Sequence, residues 1–138
     1  VTPVLLDTGV IVALLDRSER AHQACKEALS SLSGPLATCE AVIAEACYLL
    51  RHQAGAAEAI LENVERGMFV IPFRLDESAR DIRTLMKRYA RVPMDFADAC
   101  LVALADALGT GRILTLDGDF RVYRWRRTRT FELLLELA

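Results

Sequence analysis

Arg112-Ile113-Leu114-Thr115-Leu116-Asp117 contains an unbroken run of aliphatic and β-branched residues that stops on an acid. It reads as a short strand buried on both faces, because a strand with one wet face would alternate apolar and polar residues. Val4-Leu5-Leu6-Asp7 repeats the pattern at the start of the chain, and Leu36-Ala37-Thr38 and Met68 to Phe73 supply two more apolar runs. Segments of helical character separate them. From Glu19 to Ser33, residues Ala21, Ala24, Cys25, Ala28, Leu29 and Leu32 fall on one face, and Gly34-Pro35 stops the helix. A strongly apolar helix is predicted from Thr38 or Cys39 to about His52, and another from Ala56 to Glu65, closed by Gly67. A helix from about Asp76 to Tyr89 follows, and Pro93 and Asp95 introduce a last one that runs to Leu108 and ends at Gly109. A final short strand is predicted at Thr128 to Phe131. Apolar strands alternating with helices call for an α/β fold with a parallel sheet covered on both faces. Ligands of such sheets gather beyond the carboxyl ends of the strands, where Asp7 and Asp117 would stand.

The chain has 138 residues, the size of one domain, so residues 1–138 are expected to form a single unit. Such a length buries roughly two thirds of its unfolded surface, enough for a core without disulfides or structural zinc. Cys25, Cys39, Cys47 and Cys100 match no metal-ligand spacing and lie among apolar neighbours, as expected of small core residues in a reducing cytoplasm. No apolar run approaches the roughly 18 residues of a membrane span. The run from Val4 to Leu15 is interrupted by Asp7 and has no basic region before it, which argues against a signal peptide. The net charge of -2 does not by itself suggest a nucleic-acid binder. Its distribution says more. Arg121, Arg124, Arg126, Arg127 and Arg129 lie within nine residues, which leaves the rest of the chain acidic.

Four acids stand out. Asp7 and Asp117 follow the first and fourth strands, and if those strands are parallel both carboxylates project at the same end of the sheet. Asp also favours such positions as an N-cap or turn residue, so each has a purely structural explanation. Glu45 is the single charge in Ala41-Val42-Ile43-Ala44-Glu45-Ala46-Cys47-Tyr48-Leu49-Leu50, so its helix and its carboxylate are expected to be buried. A buried carboxylate needs a partner, either a metal or an arginine such as Arg51 or Arg83. Asp98 repeats the anomaly in Phe96-Ala97-Asp98-Ala99-Cys100-Leu101-Val102-Ala103-Leu104-Ala105. Asp95, one turn earlier, is explained well as an N-cap, and Asp98 less well.

Clustered carboxylates raise one another's pKa unless a cation sits among them. Oxygen ligands without a neighbouring His or Cys select Mg²⁺ or Mn²⁺, and the natural chemistry of such a site is phosphodiester hydrolysis.

At these residues the sequence resembles the PIN-domain family, and within it the VapC-type toxins of toxin–antitoxin pairs. The resemblance rests on Leu5-Leu6-Asp7-Thr8-Gly9, Ala41-Val42-Ile43-Ala44-Glu45, Phe96-Ala97-Asp98-Ala99 and Leu114-Thr115-Leu116-Asp117-Gly118-Asp119-Phe120, in that order over nearly the whole chain. It implies a three-layer α/β/α sandwich around a central parallel sheet of about five strands. It further implies a Mg²⁺- or Mn²⁺-dependent endoribonuclease, a homodimer held in check by a small antitoxin protein. By position, Asp7, Glu45, Asp98 and Asp117 match the family's catalytic and metal-binding quartet. Asp95 and Asp119 match accessory acids, and Thr8 and Thr115 match hydroxyls that orient the carboxylates. A housekeeping nuclease of the same fold, and a binding module without catalysis, are the alternatives.

The arginine run has no counterpart in these motifs. Arg121, Arg124, Arg126 and Arg127 could contact RNA phosphates while Trp125 or Tyr123 stacks on an unpaired base. The run could equally face an acidic partner, or be an edge strand kept soluble by charge.

Overall fold

The computed structural model describes residues 2–135. Its chain order is β1 (Val4–Leu6), α1 (Thr8–Leu15), α2 (His22–Ser30), β2 (Leu36–Ala37), α3 (Glu40–Leu49), α4 (Ala56–Glu65), β3 (Phe69–Val70), α5 (Leu75–Arg88), α6 (Phe96–Leu108) and β4 (Arg112–Leu114). A short 3-10 turn (Gly118–Arg121) follows, then β5 (Arg124–Trp125), β6 (Arg129–Thr130) and β7 (Glu132–Leu133). Five strands form one sheet in the order β3-β2-β1-β4-β7, every pairing parallel, and helices flank it. The α/β architecture with a five-stranded parallel sheet is the one expected. At the centre of the sheet Leu5, Leu6, Ile113 and Leu114 have no exposed surface, which is why these strands lack polar alternation. Cys25, Cys39 and Cys100 are buried among these apolar residues as free thiols. No helix among the described residues is long and apolar enough to cross a membrane.

Three elements differ from the sequence reading. The strand expected at Val4 to Leu6 is present, but it is followed at once by a helix not expected from the sequence, Thr8–Leu15, whose first amide is capped by the Asp7 side chain. With apolar residues through both parts, periodicity gives no sign of the change. The third strand is only Phe69–Val70, since Pro72 cannot continue a ladder. The last strand of the main sheet is Glu132–Leu133, just beyond the predicted Thr128 to Phe131. The predicted segment instead supplies β6, which pairs antiparallel with β5 in a separate hairpin.

Candidate metal centre

Strand register builds the first half of the site. Leu6 pairs with Leu114, and the Asp7 amide donates to the Leu114 carbonyl at 3.0 Å, so Asp7 and Thr115 meet where β1 and β4 end. The buried Thr115 hydroxyl donates to Asp7 Oδ2 at 2.7 Å, and its oxygen accepts the Asp117 amide at 3.0 Å. One hydroxyl therefore ties both strand-end acids together. Asp7 Oδ1 accepts the Thr8 amide at 2.8 Å, and Asp117 Oδ1 accepts the Asp119 amide at 2.9 Å. The capping explanations for Asp7 and Asp117 thus hold, and they coexist with the convergence of the two carboxylates.

The third acid comes from the first turn of α6. Asp95 is its N-cap, taking the Asp98 amide at 2.8 Å, and Asp98 returns a longer contact, 3.4 Å, to the Asp95 amide. This is the reciprocal capping pattern that fixes a helix start. Asp98 is buried all the same, and the Tyr123 hydroxyl donates to its Oδ2 at 3.1 Å. Tyr123 has no exposed surface and packs edge-on against Tyr89 and Phe120, with ring centroids 5.2 and 5.1 Å away. Oxygens of Asp7, Asp98 and Asp117 lie within 4.8 Å of one another.

These carboxylates are electrostatically unfavourable on their own. Burial pushes Asp7 above the ordinary carboxylate range, against the pull of hydrogen bonds from Thr115 and Thr8. Asp98 is pushed up to about 7, first by burial and then by the charges of Asp95 and Asp7, with the Tyr123 bond opposing. Beside Asp7, the buried Thr8 hydroxyl has no partner among the described residues. Three converging oxygen donors whose negative charge is uncompensated, next to an orphaned hydroxyl, fit a hard divalent cation. With no imidazole or thiolate in the group, the donor set does not suit zinc or copper.

Residues 4–126 match the PIN domain family model. The chain belongs to the PIN-domain family. It is 30% identical over 120 residues to ribonuclease VapC26 of Mycobacterium tuberculosis (strain ATCC 25618 / H37Rv), an alignment covering 83% of this chain and 86% of that protein. Its fold is similar to the crystal structure of Mycobacterium tuberculosis VapC20, described as a sarcin-ricin loop cleaving toxin. The TM-score is 0.79 at 21% identity, over 86% of this chain and 93% of that one.

Within this PIN domain two expectations need correction. Glu45 is exposed, not buried, and is not among the acids that converge within 4.8 Å. The helix α3 is apolar because Val42, Ala46 and Leu50 face the core, while Ala44, Tyr48 and Leu49 are apolar yet exposed alongside Glu45. Apolar composition all round the helix here marks an uncovered apolar face rather than complete burial. No arginine pairs with Glu45 among the described residues, and Arg51 instead lies over the Tyr48 ring.

The second correction concerns base stacking. Trp125 is buried at 8% exposure with its indole N–H donated to the Thr130 carbonyl, and Tyr123 is buried at Asp98, so neither ring is free to stack on a base. The arginines also divide. Arg121 lies beside Thr115, Leu116 and Asp117, while Arg124, Arg126 and Arg127 face away along α5 and α6. The structural role of Tyr123 is absent from the sequence reading. The alternation of Tyr123 and Trp125 with arginines is the available signal, since two inward-facing aromatics in a charged run indicate a strand with one buried face.

Proposed function

We propose that this PIN-domain protein is a divalent-metal-dependent endoribonuclease acting as the toxin of a toxin–antitoxin pair. The observation that carries the reading is the convergence of Asp7, Asp98 and Asp117 from two strand ends and a helix start. The likeness to ribonuclease VapC26 supports RNA as the substrate. Asp7, Asp98 and Asp117 hold the cation, Mg²⁺ or Mn²⁺, which when bound would activate water and offset charge on the phosphate. Thr115 and Tyr123 hold Asp7 and Asp98 in place, Thr8 offers its free hydroxyl, and Asp95 and Asp119 add negative charge around the site. Glu45 joins the reading from α3, which packs on both α1 and α6. Being exposed, it serves the substrate side of the reaction rather than the buried ligand set. Arg121, beside Asp117, is suited to a phosphate of the RNA strand.

Exposed apolar side chains support protein partners. Tyr48 and Leu49 on α3 and Leu61 on α4 are more than half exposed, and suit a second copy of the chain. An apolar groove of about 230 Å³, lined by Leu14, Leu15, Leu29, Leu32 and Met68, suits a segment of an antitoxin. The reading is tested by incubating the purified protein with single-stranded RNA and Mn²⁺ or Mg²⁺. Internal cleavage that stops with EDTA and falls at least about a hundredfold in Asp7→Asn is expected. Cleavage indifferent to EDTA, or equal in wild type and Asp7→Asn, would overturn it.

A further inference from the structure

The hairpin β5-β6 has an unusual tip. Arg126 and Arg127 both adopt left-handed backbone, with φ of 44° and 69°, although neither is glycine. The Thr128 amide closes on the Arg126 carbonyl at 2.8 Å, so Arg127 is the centre of a tight three-residue turn. Gly or Asn would fill these positions with less strain. Strained, non-glycine backbone of this kind is found where the side chains are needed for something else. The tip is also fastened. The carboxylate of Asp106, near the C-terminal end of α6, accepts the Arg126 amide, and the Arg126 guanidinium donates to the Asp106 carbonyl at 3.3 Å.

The fastened tip closes a cavity of about 360 Å³ between the hairpin, α5 and α6, lined by Arg88, Arg124, Arg126 and Arg127 with Asp81 and Asp106. None of its four arginines forms an ion pair among the described residues. Arg124 spends one guanidinium nitrogen on the carbonyls of Arg121, Val122 and Tyr123, which sets it at the cavity wall. Arg88, from the last turn of α5, and Arg127, at the tip, are exposed. The four guanidinium groups outnumber the two carboxylates of the lining, and guanidinium in excess of carboxylate is the usual recognition chemistry for a phosphate.

We infer that this cavity is a second substrate-contact site, which takes a backbone phosphate of the RNA strand at a distance from the acidic centre. It rests on the nuclease reading. Asp98 and Asp106 lie eight residues apart on α6, about 12 Å along its axis. At 3.4 Å or more per nucleotide, a strand running from the acids to the arginines covers up to about four nucleotides. A dinucleotide has a single phosphodiester and cannot place phosphates at both sites, whereas an RNA of about twelve nucleotides can.

The test compares wild type with Arg88→Gln/Arg127→Gln, two exposed positions, by fluorescence anisotropy of labelled RNA in EDTA over a range of salt. For the longer RNA the double variant is expected to bind about tenfold more weakly, with a salt dependence shallower by about 0.7 for each phosphate no longer neutralised. Dinucleotide binding, and dinucleotide cleavage once Mn²⁺ is restored, should be unchanged. Equal affinity and salt slope in the two proteins, equal weakening for short and long RNA, or no RNA binding by wild type would overturn the inference. Failure of wild type to cleave with metal present would count against the nuclease reading and leave the binding comparison to decide the cavity.

Discussion

Each acid of the centre has a structural duty as well as a place in the cluster. Asp7 caps α1, Asp117 caps the 3-10 turn and Asp98 completes the capping pair of α6. Sequence reasoning separates these acids into those with local explanations and those without, but in the fold one carboxylate does both. The strand-end acids are legible because a parallel sheet fixes where they emerge. Tyr123 is not, because nothing local links it to Asp98, 25 positions earlier. Burial and like charge raise the folded-state pKa of Asp98 to about 7, from an ordinary value of 3.8. Relative to the unfolded chain, the fold therefore favours the protonated acid. In metal-free protein the stabilisation from this group is full below pH 3.8 and is lost as pH rises through about 7. In thermal denaturation with EDTA, the wild-type midpoint should fall from mildly acidic to mildly alkaline pH, and Asp98→Asn should flatten that fall. Parallel pH profiles of wild type and variant would show that Asp98 is ordinary.

Among the elements, α4 and α6 are readable almost to the residue, because Gly67 and Gly109 take the left-handed conformation that closes them. The first helix is invisible for the opposite reason, since Val10 to Leu15 are all apolar and leave no polar face to mark a helical period. The hairpin β5-β6 is the element whose importance is hardest to foresee. Its Trp125 lies so close to Gly111 that a Cβ there would overlap the indole, which fixes the hairpin against the loop before β4. The same segment carries Tyr123 to Asp98, so the hairpin supports the acidic centre from behind. Tyr123→Phe keeps the ring packing and removes only the hydroxyl. Metal affinity and cleavage should weaken about 10- to 100-fold, the usual cost of losing a bond to a metal ligand. Stability should fall by only about 1 kcal/mol. Titration calorimetry with Mn²⁺ checks the first, and a variant with wild-type affinity would leave Tyr123 with a packing role alone.

Over the whole molecule, the modest net charge of -2 conceals a division between an acidic centre and a run of arginines. Both ends of α6 take part, the first turn holding Asp98 and the last holding Asp106 under the arginine hairpin. The parallel sheet and the strand-end placement of Asp7 and Asp117 are legible in sequence because buried parallel strands have a distinctive apolar signature. Glu45 is misjudged because an apolar helix is expected to be covered, whereas Tyr48 and Leu49 show that one face of it is open. A single sequence carries such an open face only as unexplained apolar surface. The proposed function turns on whether the cluster of Asp7, Asp98 and Asp117 holds a cation. Its most direct test is a Mn²⁺ titration of wild type and Asp98→Asn by calorimetry at about pH 8. Saturable binding to wild type, abolished in Asp98→Asn and largely kept in Glu45→Gln, is expected. Equal binding by wild type and Asp98→Asn would contradict the assignment.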